Sequence, residues 1–323
     1  MKKSIGSKQL VIICGFLYLF LVISLAGTSQ NLGVMASLGG SNEFSSLTTG
    51  YTPSYKPDVS IGASYELATR FRIESVLSIL SVEGDDSKST SPGVKNRNLN
   101  FKSNIQELAL LGQFDLLDKT YNIFVPYFTF GLAVYHFDPH PLNAIDSVGD
   151  VDLRSVGTEG QYLPGGKYAD RQYKLTQINF QLGGGARFEI SDNISIGAEL
   201  AFRRLSTTYL ADASAKSFIS NDEWQAGIAT ANKEGNTGLA RSLQVAEDYS
   251  WREIDLKGNP IPIPMHANSN GVNFPRGFPN KVDWYYSFQL RIDIKLNVIF
   301  GSDLYSPTNP NGRGQLKNPR RIL

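Results

Sequence analysis

KVDWYYSFQLRIDIKLNVIF, residues 281–300, alternates along its length. Trp284, Tyr286, Phe288, Leu290, Ile292, Ile294, Leu296 and Val298 fall on one face, and Asp283, Tyr285, Ser287, Gln289, Arg291, Asp293, Lys295 and Asn297 on the other. Period two is the period of a strand. Strands of soluble sheets run about five or six residues, whereas this alternation spans the whole stretch. Its apolar row starts at Trp284 and Tyr286 and ends at Phe300. An apolar band bounded by aromatics and opposed by a polar face suits a strand with lipid on one side and a barrel interior on the other.

The pattern recurs towards the N-terminus. Ile194, Ile196, Ala198, Leu200 and Phe202 oppose Ser195, Gly197, Glu199, Ala201 and Arg203, and Ile178, Phe180, Leu182, Ala186 and Phe188 oppose Gln177, Asn179, Gln181, Arg187 and Glu189. Further strands are expected over 121–137, from Gln106 to Leu116, over 73–82, over 59–67 and over 31–38. The breaks alternate between long, near 45, 90, 155 and 245, and short, near 70, 118 and 192. Outer-membrane barrels carry brief periplasmic turns and extended outer loops in this order, with an even strand number from eight upwards. The expectation is an all-β chain: a transmembrane antiparallel β-barrel of about eight strands with long extracellular loops and a short periplasmic tail.

The N-terminus fits this placement. Lys2, Lys3 and Lys8 precede an apolar run over 10–25 and then Ala26, Gly27, Thr28 and Ser29, the layout of a secretory signal. Cleavage before Gly27 or before Gln30 suits the small residues, and an uncleaved anchor is the alternative. The expected organisation is a signal peptide over 1–29, a barrel over 30–300 with long outer loops at about 138–172 and 206–280, and a periplasmic tail over 301–323. Cys14 is the one cysteine and lies inside the apolar run, so the mature chain would hold neither a disulfide nor a thiolate site. A net charge of +1 gives no surface for nucleic acid. The partner expected first is outer-membrane lipid.

Glu66, Glu74, Glu107, Arg187, Glu189, Glu199, Arg203, Arg291, Asp293 and Lys295 all fall on the polar side. An interior of about eight strands is just filled by side chains, and an isolated buried charge is costly. These residues, with Glu66, Glu107, Arg187, Glu189, Glu199, Arg203, Arg291 and Asp293 as the core set, are expected to pair into a plug.

Catalytic and metal chemistry finds little support. His136, Asp138 and His140 could supply zinc ligands, but Pro139 and an expected loop favour a surface turn. His266 and Ser269 lie in a Pro- and Asn-rich loop, a weak candidate for an outer-surface lipid hydrolase. Gly183, Gly184 and Gly185 follow a strand without opening a helix, so they suit close packing of the wall better than a phosphate cradle. No catalytic residue, cofactor or metal is expected. The tail carries Arg313, Lys317, Arg320 and Arg321 among prolines and glycines, a candidate docking segment for a periplasmic partner.

NRNLNFKSNIQE (96–107), VGTEGQ (156–161), YKLTQINFQLGGGARF (173–188) with the following IGAELAFRR, and RGFPNKVDWY (276–285) resemble one family of small outer-membrane β-barrels of Bacteroidota-type bacteria, the family that includes the PorG component of the type IX secretion system. An acidic segment that the family carries after the seventh strand is present only as Tyr209, Leu210, Ala211 and Asp212, and the insertion beyond it is extended. The resemblance implies a non-enzymatic anchor for secretion or gliding machinery that contacts a periplasmic ring of a lipoprotein and its partner. The alternative function is a surface adhesion or ligand-binding barrel working through its outer loops.

Overall fold

The computed structural model of the chain describes residues 32–45, 54–254, 257, 259–262 and 275–296. Eight strands follow one another around a closed antiparallel barrel: β1 (Leu32–Phe44), β2 (Lys56–Ala68), β3 (Phe71–Asp85), β4 (Asn100–Asp115), β5 (Phe124–His140), β6 (Thr176–Glu189), β7 (Ile194–Leu205) and β8 (Trp284–Lys295). Each pairs with its sequence neighbours, and β8 closes on β1 from Gly33 opposite Lys295 to Phe44 opposite Trp284. Closure leaves the sheet no open edge, the condition for crossing a membrane with strands. No described helix is long and apolar enough to cross one.

The alternation sorts side chains as the sequence demands. On β8, Phe288, Leu290 and Ile292 face outwards, Leu290 with 64% of its surface exposed, while Tyr285, Ser287, Gln289, Arg291 and Asp293 are buried in the lumen. The same holds for Leu110, Leu132, Ile178 and Phe180 against Glu107, Thr129, Tyr135 and Asn179. An outward girdle of large apolar groups would be a liability in water and is a requirement in lipid. Tyr286 departs from its row: Phe44 stacks on it at 5.2 Å, Tyr55 meets it edge-on and Phe202 lies 5.9 Å away, so it is buried inside an aromatic cluster.

Several boundaries differ from the expected ones. β1 runs on through Gly39 and Gly40, where a loop was expected, because β8 supplies a ladder on one side and β2 on the other. A Cβ at Gly39 would lie 1.9 Å from the Phe288 carbonyl oxygen, so only glycine lets the two backbones approach this closely. β3 continues to Asp85 and β4 starts at Asn100, which reduces the expected polar loop over 84–97 to a 3-10 turn and a short helix, α1 (Pro92–Arg97). β5 reaches His140, so His136, Asp138 and His140 lie at a strand end and not in a loop. β8 starts at Trp284, three residues later than the alternation alone suggests; its expected end at Phe300 lies outside the described residues.

The long insertion before β8 is also structured. After β7 come two helices, α3 (Asn221–Lys233) and α4 (Thr237–Ser250), and the β5–β6 connection carries a single turn, α2 (Leu153–Val156). Ser220 and Glu223 form a capping box at the start of α3. Trp224, Ala231, Ala240, Leu243 and Ala246 close the hairpin on Leu163 and Ile219. Gly227 faces the Leu163 methyl, where a Cβ would sit 2.4 Å away. Four connections therefore gather at one end of the barrel, and the short turns between β2 and β3, β4 and β5, and β6 and β7 sit at the other.

Candidate functional site

The described parts of the β3–β4, β5–β6 and β7–β8 connections fold together as a cap at the long-loop end of the barrel, and arginine–acid pairs help to hold it. Asp86, in the β3–β4 connection, receives two hydrogen bonds of 2.7 Å from Arg97 Nε and Nη2 and one of 2.9 Å from the Leu99 backbone N–H. This is the bidentate fork that arginine makes with a carboxylate. Arg97 Nη1 then donates to the carbonyls of Pro275 and Arg276, at 3.1 and 3.0 Å, so one fully buried side chain ties the β3–β4 connection to the approach of β8. Burial pushes the Asp86 carboxyl up to about 6 against the pull of Arg97.

A second knot lies beside the first. Asp212 follows β7 in a left-handed backbone conformation, φ 50°. Its carboxylate accepts from the Tyr173 hydroxyl at 2.6 Å and from the Thr158 hydroxyl. Full burial pushes its carboxyl up to about 6, with Arg276 opposing. Glu159 Oε1 accepts the Ser214 and Ala215 N–H groups, each at 2.8 Å, and lies 3.7 Å from Arg276 Nε. Arg276 Nη2 donates to the Asp212 carbonyl at 3.2 Å and to Thr158. Tyr173 is sandwiched between Tyr209, at 4.6 Å, and Phe137. A buried charge needs a partner and further hydrogen bonds to be tolerated, and here loop backbone supplies many of them.

Of these residues Asp212 was named from the sequence, as part of the remnant after the seventh strand; Asp86, Arg97, Glu159, Tyr173 and Arg276 were not singled out. No periodicity marks them. One signal was present: NRNLNF, VGTEGQ, the YLAD remnant and RGFPN, which carry or border the family resemblance, meet in this cap.

Below the cap, the charges expected in the lumen are placed as follows. Glu107 accepts from Asn179 at 2.6 Å and from the Tyr285 hydroxyl, with Arg203 Nε at 3.3 Å. Arg291 donates to Glu74 at 2.9 Å and to Asp293 at 2.9 Å, and reaches Glu199 at 3.3 Å. Arg187 bridges Asp115, at 2.8 Å, and Glu189, at 2.7 Å. Glu66 sits at the short-turn end with Lys119, and with Lys295 at 4.0 Å. The structure adds Arg72, 3.3 Å from Glu74 and 3.5 Å from Asp293, and Asp115 to the set. Arg72 escaped notice because it abuts the tight turn before β3. Two glycines make room for this packing: a Cβ at Gly185 would lie 2.7 Å from the Tyr127 ring and one at Gly183 2.5 Å from Thr129 Oγ1.

The histidines do not converge on a metal geometry. His136 Nδ1 shares a hydrogen bond of 3.0 Å with Thr176, while His140 lies between Asp138 at 3.3 Å and Asp150 at 3.1 Å. Among the described residues, no group of three or more His, Cys, Asp and Glu is placed to hold a metal ion. His266, Ser269, Arg313, Lys317, Arg320 and Arg321 lie outside the described residues, as does the segment read as a signal peptide.

Comparison with known structures returns small outer-membrane proteins. Neisserial surface protein A is 9% identical, with 82% of this chain and 96% of that one aligned at a TM-score of 0.37. OprG of Pseudomonas aeruginosa is 9% identical over 83% and 98% of the two chains, with a TM-score of 0.36. The outer membrane enzyme PagL is 10% identical over 81% and 98%, at 0.28. Likenesses this distant carry no argument about function. Among curated proteins none matches the sequence. The sequence model of the outer membrane protein beta-barrel domain matches residues 14–230, more than half of the chain. With eight strands closed around a packed polar lumen and a lipid-ready outer girdle, the chain is a member of the outer membrane protein beta-barrel domain family and resides in the outer membrane.

Proposed function

We propose that the protein is a non-enzymatic anchor of the outer membrane that tethers type IX secretion or gliding machinery through its periplasmic side. The observation that supports this reading most is the filled lumen. Arginines and acids from β2 to β8 interlock along it, from Glu66 and Lys119 at one end to Arg203 and Glu107 near the other, and the cap lies above them. A barrel of this kind offers no water-filled path, so its work falls to its surfaces. The resemblance of the loop and strand segments to the barrel family that includes PorG supplies the machinery, and a periplasmic ring of a lipoprotein and its partner is the contact it implies. The signal segment over 1–29 would deliver the chain, and Arg313, Lys317, Arg320 and Arg321 would dock the partner.

The test is co-purification from native membranes of the full chain and of a chain lacking residues 301–323. Periplasmic partners should accompany the first and be lost from the second; identical partner sets would reject the tail as the docking segment, and no partner with either would reject the anchor. Alanine at both His266 and Ser269 should leave the lipid A profile unchanged. A second reading, a ligand-binding barrel acting through its outer loops, is favoured by the ordered cap.

A further inference from the structure

The lipid-facing row of β7 ends on a charge. After Ile196, Leu200 and Phe202, which face outwards, the next position of that row is Arg204, and it too is exposed. In the sheet Arg204 lies opposite Phe180 on β6 and Trp284 on β8, outward apolar groups that are 47% and 38% exposed. Its guanidinium sits 6.0 Å from the centre of the Trp284 ring. We propose that Arg204, seated on Trp284, grips the phosphate of an outer-leaflet lipid headgroup. The inference rests on the placement of the barrel in the outer membrane and is independent of both readings above.

The row, the missing counter-charge and the aromatic seat point the same way. An arginine on the lipid face is costly at mid-bilayer and tolerated near the headgroups, which its long side chain can reach. Arg204 stands at the long-loop end, the extracellular end of an outer-membrane barrel, so the headgroups within reach are those of the outer leaflet. Among the described residues no carboxylate lies within 4.0 Å of its guanidinium, and no side chain or carbonyl accepts its N–H groups.

Other outward cations differ in this respect. Lys102, exposed on β4, has Asp150 at 3.6 Å. Arg70, at the short-turn end, also lies over an aromatic ring, Phe114 at 4.9 Å, but its Nε donates to the Asp115 carbonyl at 2.9 Å and its Nη2 to the Leu116 carbonyl. The wall therefore satisfies Arg70 and leaves the counter-charge of Arg204 to the membrane. Trp284 belongs to an aromatic belt with Phe202, Tyr286 and Phe44, the usual marker of the headgroup level. A guanidinium held on an aromatic face keeps its planar fork for a phosphate, whose two oxygens it can bind at once.

Trp284 also supplies the readout. The other two tryptophans, Trp224 and Trp251, are buried in the cap, so lipids with brominated acyl chains quench Trp284 selectively. The full chain is placed in vesicles that mix brominated phosphatidic acid with plain phosphatidylcholine, and in the converse mixture, at one ionic strength. A preference of about fivefold for phosphatidic acid at Trp284 is expected, the scale of one basic side chain beside an anionic headgroup. Arg204→Gln should abolish that preference. Lys102→Gln, on the opposite side of the barrel, should retain it. If Arg204→Gln does not insert, Arg204→Lys carries the test and should lose roughly half of the preference or more, because an ammonium lacks the planar fork. Equal quenching by the two lipids in the parent, a preference unchanged by the Arg204 variant, or an equal fall in Lys102→Gln overturns the proposal.

Discussion

The lumen and the cap are both built from buried arginines and acids, yet they reach that state by different routes. In the lumen the charges are presented by alternation: each strand turns every second side chain inwards, so Glu107, Arg187, Arg203 and Arg291 arrive with their neighbours already in register. In the cap no repeat sets the geometry. Arg97 and Arg276 lie 179 positions apart, and their meeting depends on the loops being the right shape. The lumen pairs mostly side chain with side chain, whereas the cap pairs side chains with loop backbone, as in the two N–H groups held by Glu159. Charge on a sheet is thus fixed by the wall, and charge in the cap is what fixes the loops.

Perturbations can separate the two regions. The largest loss should come from Arg291→Ala, which leaves Glu74, Glu199 and Asp293 without their shared cation. Removing one partner of a buried pair costs roughly 3–5 kcal/mol, read as a lower urea midpoint for the whole barrel. Leu290→Arg should follow, at roughly 2–4 kcal/mol for a cation at mid-bilayer, read as poor insertion into vesicles. If Leu290→Arg inserts normally, the outward assignment of that row is wrong.

The cap should respond more locally. Arg97→Lys cannot reproduce the bidentate bond to Asp86 together with both carbonyl contacts. A loss of about 1–3 kcal/mol is expected, typical of bonds to charged groups, and it should appear as protease cleavage in the outer loops of a barrel whose own midpoint is unmoved. Trp224 and Trp251 in the cap, against Trp284 in the wall, let fluorescence report the regions separately. The remaining perturbation is pH, which acts on the cap as a slope. Asp86 and Asp212 titrate near 6 when folded and near 3.8 when exposed. The folded cap therefore holds more protons than the unfolded one between those values, and its stability falls as pH rises from about 4 to about 6 and is level above. Asp212→Asn should flatten that slope, and an unchanged slope would show that Asp212 does not contribute to it.

The barrel was legible because two facts repeat along the chain: an apolar residue at every second position and a strict alternation of long and short breaks. Strand ends were less so. Gly39, Gly40 and Ser41 read as a turn by composition, yet ladders from both neighbours keep them extended. The helices over 221–250 were missed because their small apolar stripe, Trp224, Ala231, Ala240 and Leu243, is completed by Leu163 from another loop. The cap arginines were invisible to pattern reading for the same reason. Their partners are tertiary, contributed by connections far apart in the chain.

The seam between β1 and β8 has a consequence for biogenesis. Ser37 donates to Gln289 across it, at 3.1 Å, bridging 252 positions of the chain. Fastening such remote ends is entropically unfavourable until the intervening strands are in place. Before that moment the nascent sheet has two bare margins, each able to recruit a foreign strand. A polypeptide that terminated ahead of Trp284 would keep both margins permanently, and its fate would be cross-chain association and not a monomeric cylinder.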